Sequence, residues 1–377
     1  MHILNLTEDV GLAPGFLLKA GEYLVDDLSG AQLAARAGGA EMRFVEDITV
    51  EHRSRIAADS MESVLFFRTG GFGDLVLLTP VLRRHKELYP NARIGVCCVE
   101  SYGVALEGLP YVDEIVPYPV PTEVAARWDR WVFLERAIER NPEAKTTHMT
   151  DIFAKMTGIE LTDKKADYKV SASEAVWANV QYPRTEKPRV AIQFSASARC
   201  RTYPRVGDIA GRMMKRGWEV FLMGAPGEIQ IPPQHMHENL RNLSATGTTF
   251  RQSCAVVNSA DVVIGPDSAL VHVAGALGVP CVGLYGPFPW QLRTAYAPTT
   301  EAISGVGECS PCFHHYNPAG GPAAHFPVGC PSAATGWCRV LAEIKPERIA
   351  ARAELLARNL RARPSDDGVV PFVRGGN

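Results

Sequence analysis

The chain has 377 residues, a 46% apolar fraction and a formal net charge of -2. That length is enough for two domains of ordinary size, and the composition is that of a globular protein. The near-neutral balance excludes a general electrostatic pull toward nucleic acid or an acidic membrane surface.

No apolar run approaches the ~20 residues needed to cross a bilayer. The opening Met1-His-Ile-Leu-Asn-Leu-Thr-Glu-Asp9 lacks the basic start and apolar core of a signal peptide. The expectation is a cytoplasmic protein, at most peripheral to the inner face of a membrane. Residues 1–60 read as a small extension. Phe16-Leu-Leu-Lys-Ala-Gly-Glu-Tyr-Leu-Val25 suggests a hairpin turning at Gly21, and Ser29 with Gln32 forms a capping box for a helix through Ala37. This module weakly resembles ones found in phage and prophage proteins. The plainer reading is an extension packed on the main body.

The first large unit, 61–185, opens with Val64-Leu-Phe-Phe67, an apolar run suited to a buried parallel strand. The turn Thr69-Gly-Gly-Phe-Gly73 follows, then helical spacing from Asp74 to Tyr89. Strands are expected at 92–99 and at Glu114-Ile-Val-Pro117, with a short helix at 102–109 between them. This βαβαβ order implies a parallel sheet. Residues 123–160 read as helical. Arg184-Thr-Glu-Lys-Pro188 is a polar link to the second unit, 186–345. There strands at 189–194, 219–223, 261–264 and 281–284 alternate with helices at 205–216, 249–258 and 268–277. Residues 346–377 form a helix and a polar tail. Two similar α/β halves suggest a cleft between them in which substrates meet.

The glycine turn is neither a dinucleotide fingerprint, since Val76 stands where the third glycine belongs, nor a Walker loop, since no Gly-Lys-Ser/Thr follows. A dehydrogenase reading, with Glu100 holding a ribose, is therefore disfavoured. Asp74 at the helix start faces the carboxyl edge of the sheet. It is either a helix cap or a carboxylate placed to take a proton from an incoming hydroxyl. In the second half, Ile264-Gly-Pro-Asp-Ser-Ala-Leu-Val-His272 reads as strand, tight turn and helix. Asp267 and Ser268 can cap that helix, whose free N–H groups and positive end suit a phosphate. His272 lies one turn beyond Ser268 on the same face.

Gly73-Asp74 with Leu78-Thr79-Pro80, the Tyr89-to-Ile94 segment, Tyr111-Val-Asp-Glu-Ile115, Arg201-Thr-Tyr-Pro204, Gly224-Ala-Pro-Gly-Glu228, Asp267-to-His272 and Tyr285-Gly-Pro287 occur in one order. Together they resemble glycosyltransferase family 9, the ADP-heptose:lipopolysaccharide heptosyltransferases, over residues 63–350. The resemblance implies a GT-B fold, two Rossmann-like halves facing a cleft. It implies inverting, metal-independent transfer from a nucleotide-diphosphate sugar, with ADP-heptose as a candidate, and no required cofactor. It casts Asp74 as general base and Arg201 as neutraliser of the diphosphate. Asp267, Ser268 and His272 would line the diphosphate and sugar pocket, and Glu228 would bind the donor ribose. Gly73 and Gly224 belong to the same donor-facing turns. Ala269 replaces a usual glycine, and Arg201 a usual lysine. The acceptor stays open among glycan, lipid-linked, protein and modified nucleic-acid hydroxyls. The competing class is a non-catalytic phage or prophage protein that keeps the fold.

Nine cysteines are present. Cys97, Cys98, Cys200, Cys254 and Cys281 read as reduced, mostly buried thiols. Cys309, Cys312, Cys330 and Cys338, with His314, His315 and His325 between, form a weak candidate for structural zinc. Their later spacings are not a usual zinc pattern, and free or loop-bracing thiols are the expected state.

Overall fold

A computed structural model describes residues 2–25 apart from 7–8 and 14–15, residues 31, 33 and 41–44, and residues 63–361 apart from 136, 139–140, 314–329, 331–332 and 334. The first strands are β1 (His2–Leu6), β2 (Val10–Ala13), β3 (Phe16–Leu18), β4 (Gly21–Val25) and β5 (Glu41–Phe44). The expected hairpin at Gly21 is not formed. β3 pairs with β2, whereas β4 pairs with β1. Gly21, at φ +152°, lets the chain leave one sheet for the other. The helix expected at 29–37 lies largely outside the described residues.

The first parallel sheet contains β6 (Ser63–Phe67), β7 (Arg93–Cys98), β8 (Glu114–Pro117) and β10 (Arg130–Phe133), in the order β10-β6-β7-β8. Its β6 is buried at every position, as a central strand covered on both faces must be. A two-residue strand, β9 (Val120–Pro121), pairs instead with β4. It ties the amino-terminal sheet to this unit, and Ile3, Leu24, Leu65, Val120 and Trp128 share one apolar cluster. Helix α1 (Phe72–Leu88) follows β6. Helix α2 (Met149–Thr157) is capped by His148 and ends at left-handed Gly158. The helical reading of 123–160 is thus corrected. Arg130–Phe133 pairs in parallel with β6 and completes the sheet. This strand has only four residues, too few to show alternation beside helical neighbours. The helix expected at 102–109 is confined to Glu100–Gly103.

Helix α3 (Ala172–Gln181) carries a capping box from Ser171 and Glu174. The second sheet holds β11 (Arg189–Gln193), β12 (Glu219–Met223), β13 (Leu240–Asn242), β14 (Val262–Pro266), β15 (Cys281–Tyr285) and β16 (Thr300–Ser304). All are parallel, in the order β13-β12-β11-β14-β15-β16. Its helices are α4 (Val206–Lys215), α5 (Phe250–Asn258), α6 (Ala269–Leu277), α7 (Trp290–Thr294) and α8 (Pro346–Arg361). This is the doubly wound order, whose chain reversal falls between β11 and β14, where ligands enter such sheets.

The halves touch along α1 and α6, and one apolar cluster runs through both. Phe72 stacks on Phe250 with ring centroids 3.9 Å apart. Arg251 of α5 donates to Glu174 at 2.7 Å and to the Val104 carbonyl at 2.8 Å. Among the described residues, no helix is long and apolar enough to cross a membrane.

Candidate active site between the two sheets

Every residue singled out for chemistry in the sequence, outside the cysteine cluster, lies beyond the carboxyl end of a parallel strand or in the helix that follows. In the first half the turn after β6 delivers Asp74 into the first turn of α1, with Gly71 at the cap position. Asp74 is therefore not the helix cap. Its Oδ2 accepts from Arg68 Nη2 at 2.6 Å. Arg68 is 1% exposed, and it also donates to the Leu134 carbonyl at 3.1 Å. A Cβ on Gly70 would stand 2.4 Å from the Asp74 carboxylate, so the turn needs glycine for this pair to close. Only Asp74 Oδ2 is engaged by a side-chain donor among the described residues.

In the second half β14 ends at Pro266, and Asp267 and Ser268 form the turn into α6. Ser268 occupies the cap position without capping. Its hydroxyl donates to Gln193 Oε1 at 2.5 Å, because the glutamine at the end of β11 reaches across the chain reversal. The first amides of α6 are left with no partner inside the helix. Asp267 is buried, and Arg293, His272 and Arg201 lie around it. Arg293 Nε of α7 lies 3.3 Å from Oδ2, His272 Nε2 lies 3.5 Å from Oδ1, and Arg201 donates to the Asp267 carbonyl at 3.1 Å. Burial alone would raise the Asp267 carboxyl. Arg293 and His272, with Arg201, outweigh it and hold the group well below the usual carboxylate range. Arg201 is also bound by Ser197 Oγ. Glu228 curls back over the end of β12, accepting from the Ala225 amide at 2.7 Å and from the Ser195 hydroxyl. A Cβ on Gly224 would lie 2.8 Å from that carboxylate.

The two sets meet directly. A Cβ on Gly73 would lie 2.9 Å from His272 Cδ2 and 3.7 Å from the Ala269 Cα. The amino-terminal turns of α1 and α6 therefore face each other, with Asp74 on one side and Asp267, Ser268, His272 and Arg201 on the other. Arg68, Gln193, Ser197 and Arg293 join them without having been assigned a role from sequence. Arg68 and Gln193 stand next to recognised turns, so their position was a signal. Arg293 had none, because no local pattern marks which residue of the turn after β15 will reach Asp267.

The cysteines divide as their surroundings dictate. Cys97, Cys98, Cys200, Cys254 and Cys281 are free and buried. Burial pushes Cys254 and Cys281 up to about 12, so both stay thiols at neutral pH. Cys338 is buried, Cys330 half-buried, and Cys309 and Cys312 are exposed. Among the described residues no group of three or more His, Cys, Asp or Glu side chains is placed to hold a metal ion. His314, His315 and His325 lie outside the described residues.

Comparison with known proteins follows this geometry. Residues 125–321 match Glycosyltransferase family 9 (heptosyltransferase). The lipopolysaccharide core heptosyltransferase OpsX of Haemophilus influenzae is 25% identical over 197 residues, 49% of this chain and 55% of OpsX. The chain thus spans little more than half the length of this curated relative. ADP-heptose lps heptosyltransferase II of E. coli superposes with a TM-score of 0.61 at 16% identity, covering 80% of this chain and 100% of that one. TibC of enterotoxigenic E. coli H10407, described as a dodecameric iron-containing glycosyltransferase, superposes with a TM-score of 0.57 at 14% identity, covering 95% of this chain and 91% of that one. These structural likenesses fix the fold as GT-B. With more than half of its residues matched to the family, the chain belongs to glycosyltransferase family 9.

Proposed function

We propose that the protein is an inverting glycosyltransferase. It moves a sugar from a nucleotide-diphosphate donor to an acceptor hydroxyl, with residues 61–185 serving the acceptor and 186–345 the donor. The observation that supports this reading is the close approach of Gly73, the residue before Asp74, to His272 and Ala269 across the α1–α6 contact. ADP-heptose is the proposed donor. TibC has been solved in complex with ADP-D-beta-D-heptose, and OpsX is named as a heptosyltransferase. The acceptor is a hydroxyl of a glycan or lipid-linked glycan, as in the lipopolysaccharide enzymes, or of a protein.

The chemistry follows from charge. As the bond from the anomeric carbon to the diphosphate breaks, negative charge collects on the leaving phosphate. Arg201 and the amino end of α6 are fixed beforehand where that charge develops, so they stabilise it without reorganising. The acceptor oxygen attacks the opposite face and gives its proton to Asp74. A lone carboxylate on that face suits a single displacement with inversion, whereas a double displacement would need a second one as nucleophile. Arg68 keeps Asp74 oriented. Asp267 is held ionised by Arg293 and His272, so it acts as a hydrogen-bond acceptor for the sugar and not as an acid. Cationic side chains and a helix end supply all the leaving-group stabilisation this reading needs, without a metal.

Asp74→Asn is the direct test. Calorimetric affinity for ADP-heptose is expected to stay within about twofold, while transfer falls by at least roughly a hundredfold, the scale of a lost general base. Equal loss of both would make Asp74 a structural residue.

A further inference from the structure

Asp74 belongs to the first unit and the donor turn to the second, so transfer depends on how the first turn of α1 is held against the second unit. Upstream of that turn the backbone is open, since a Cβ on Gly71 would meet nothing within 4 Å. The next residue, Phe72, begins α1 and is 7% exposed. Its ring centroid lies 3.9 Å from that of Phe250 and 6.3 Å from that of Tyr168. Phe250 opens α5 of the second unit, whereas Tyr168 belongs to the first.

Arg251, the next residue of α5, closes this box. Its guanidinium lies over the Tyr168 ring, 5.7 Å from the centroid. Nη1 donates to the Val104 carbonyl at 2.8 Å, and Nη2 donates to the Lys169 carbonyl at 3.0 Å and to Glu174 Oε2 at 2.7 Å. Nε donates to Glu174 Oε1 and lies 3.2 Å from Glu107 Oε2. Every nitrogen of the guanidinium is thus engaged by the first unit. A lysine ammonium, a single point charge, cannot reproduce this planar fork.

We propose that Arg251 is a positioning residue for the transfer. It pins the head of α5 to the first unit and, through Phe250 and Phe72, holds the turn that presents Asp74. The inference rests on the reading of Asp74 as the base, and gives a role to a residue that reading does not use.

The position of the box in the chain supports it. Phe72 directly precedes Gly73, whose backbone lies against His272, and Asp74 follows. A shift of Phe250 therefore acts on the turn that carries the carboxylate. Misplacing a reacting group by about 1 Å can lower a rate roughly a hundredfold. The Arg251–Glu174 pair is also sheltered, with side chains 13% and 18% exposed, so solvent screens it less than a surface pair.

The test uses Arg251→Met and Arg251→Lys in the full chain. Methionine keeps an unbranched apolar stem, and Glu174 keeps the Ser171 amide at 2.7 Å, so its carboxylate is not stranded. Three quantities are measured: calorimetric affinity for ADP-heptose, ADP release from ADP-heptose with water as the acceptor, and amide hydrogen exchange over residues 72–82 and 269–277. For Arg251→Met the expected affinity stays within about twofold, while ADP release slows by roughly tenfold to a hundredfold. Exchange quickens over 72–82 and not over 269–277. Arg251→Lys recovers part of the rate. Unchanged ADP release with unchanged exchange over 72–82 would overturn the inference and leave Arg251 as a brace between the units. Parallel loss of affinity and rate would also overturn it, by placing the effect in the donor half. Neither result touches the donor reading. A wild type that does not bind ADP-heptose would overturn that reading, and this inference with it.

Discussion

Gly73 shows how closely the two halves must approach for the site to exist. With a hydrogen for a side chain, its backbone lies against His272 and Ala269. Gly73→Ala would force its methyl into the His272 ring, and the nearest relief is a shift of α1 away from α6. That shift would separate Asp74 from the donor turn. We expect at least a tenfold loss of transfer, with thermal stability reduced by roughly 1–3 kcal/mol, the range for overpacking. Wild-type transfer in the variant would mean that the contact is not maintained during turnover. The sequence marks Asp74, Arg201, Glu228, Asp267, Ser268 and His272 because each belongs to a short motif with its own local logic. Arg293 carries no such mark, because it reaches Asp267 from an element whose own sequence says nothing about where it will be folded.

At the scale of elements, the alternation of strand and helix was readable wherever apolar runs were framed by glycine or proline. It failed at three strands on the sheet edges. Arg130–Phe133, Leu240–Asn242 and Thr300–Ser304 each pair on one side alone, and that pairing, not their own pattern, makes them strands. Two helices carry a hidden acid sensitivity. His85, in the last turn of α1, is buried against Phe66 and Tyr89, and neither ring nitrogen has a hydrogen-bond partner among the described residues. Burial pushes His85 down to about 4 and the α2 cap His148 down to about 3. Both lie below the ordinary histidine value of about 6.5. As pH falls below that value, the unfolded chain takes up protons the folded one refuses. The stability contributed by neutral burial is complete above pH ~6.5 and is lost as pH falls toward 4. Unfolding free energies from urea titrations at pH 7.5 and pH 5 should differ by roughly 4 kcal/mol from these two groups, and His85→Leu should remove about half of that difference. A pH-independent stability would mean that both rings have a charged, solvated state in the folded protein.

For the whole molecule, the central claim is that two sheets of different origin in the chain share one reaction space. Arg201 donates to the carbonyl of Asp267, which Arg293 grips from the other side. Its guanidinium is the cation that a diphosphate donor would meet at the head of α6. The most direct measurement is a calorimetric titration of ADP-heptose into wild type and Arg201→Ala. The account predicts saturable one-to-one binding to wild type and a loss of roughly 1.5–3 kcal/mol in the variant, the range for a hydrogen bond to a charged group. Absence of binding to wild type, or equal affinity in both proteins, would contradict it.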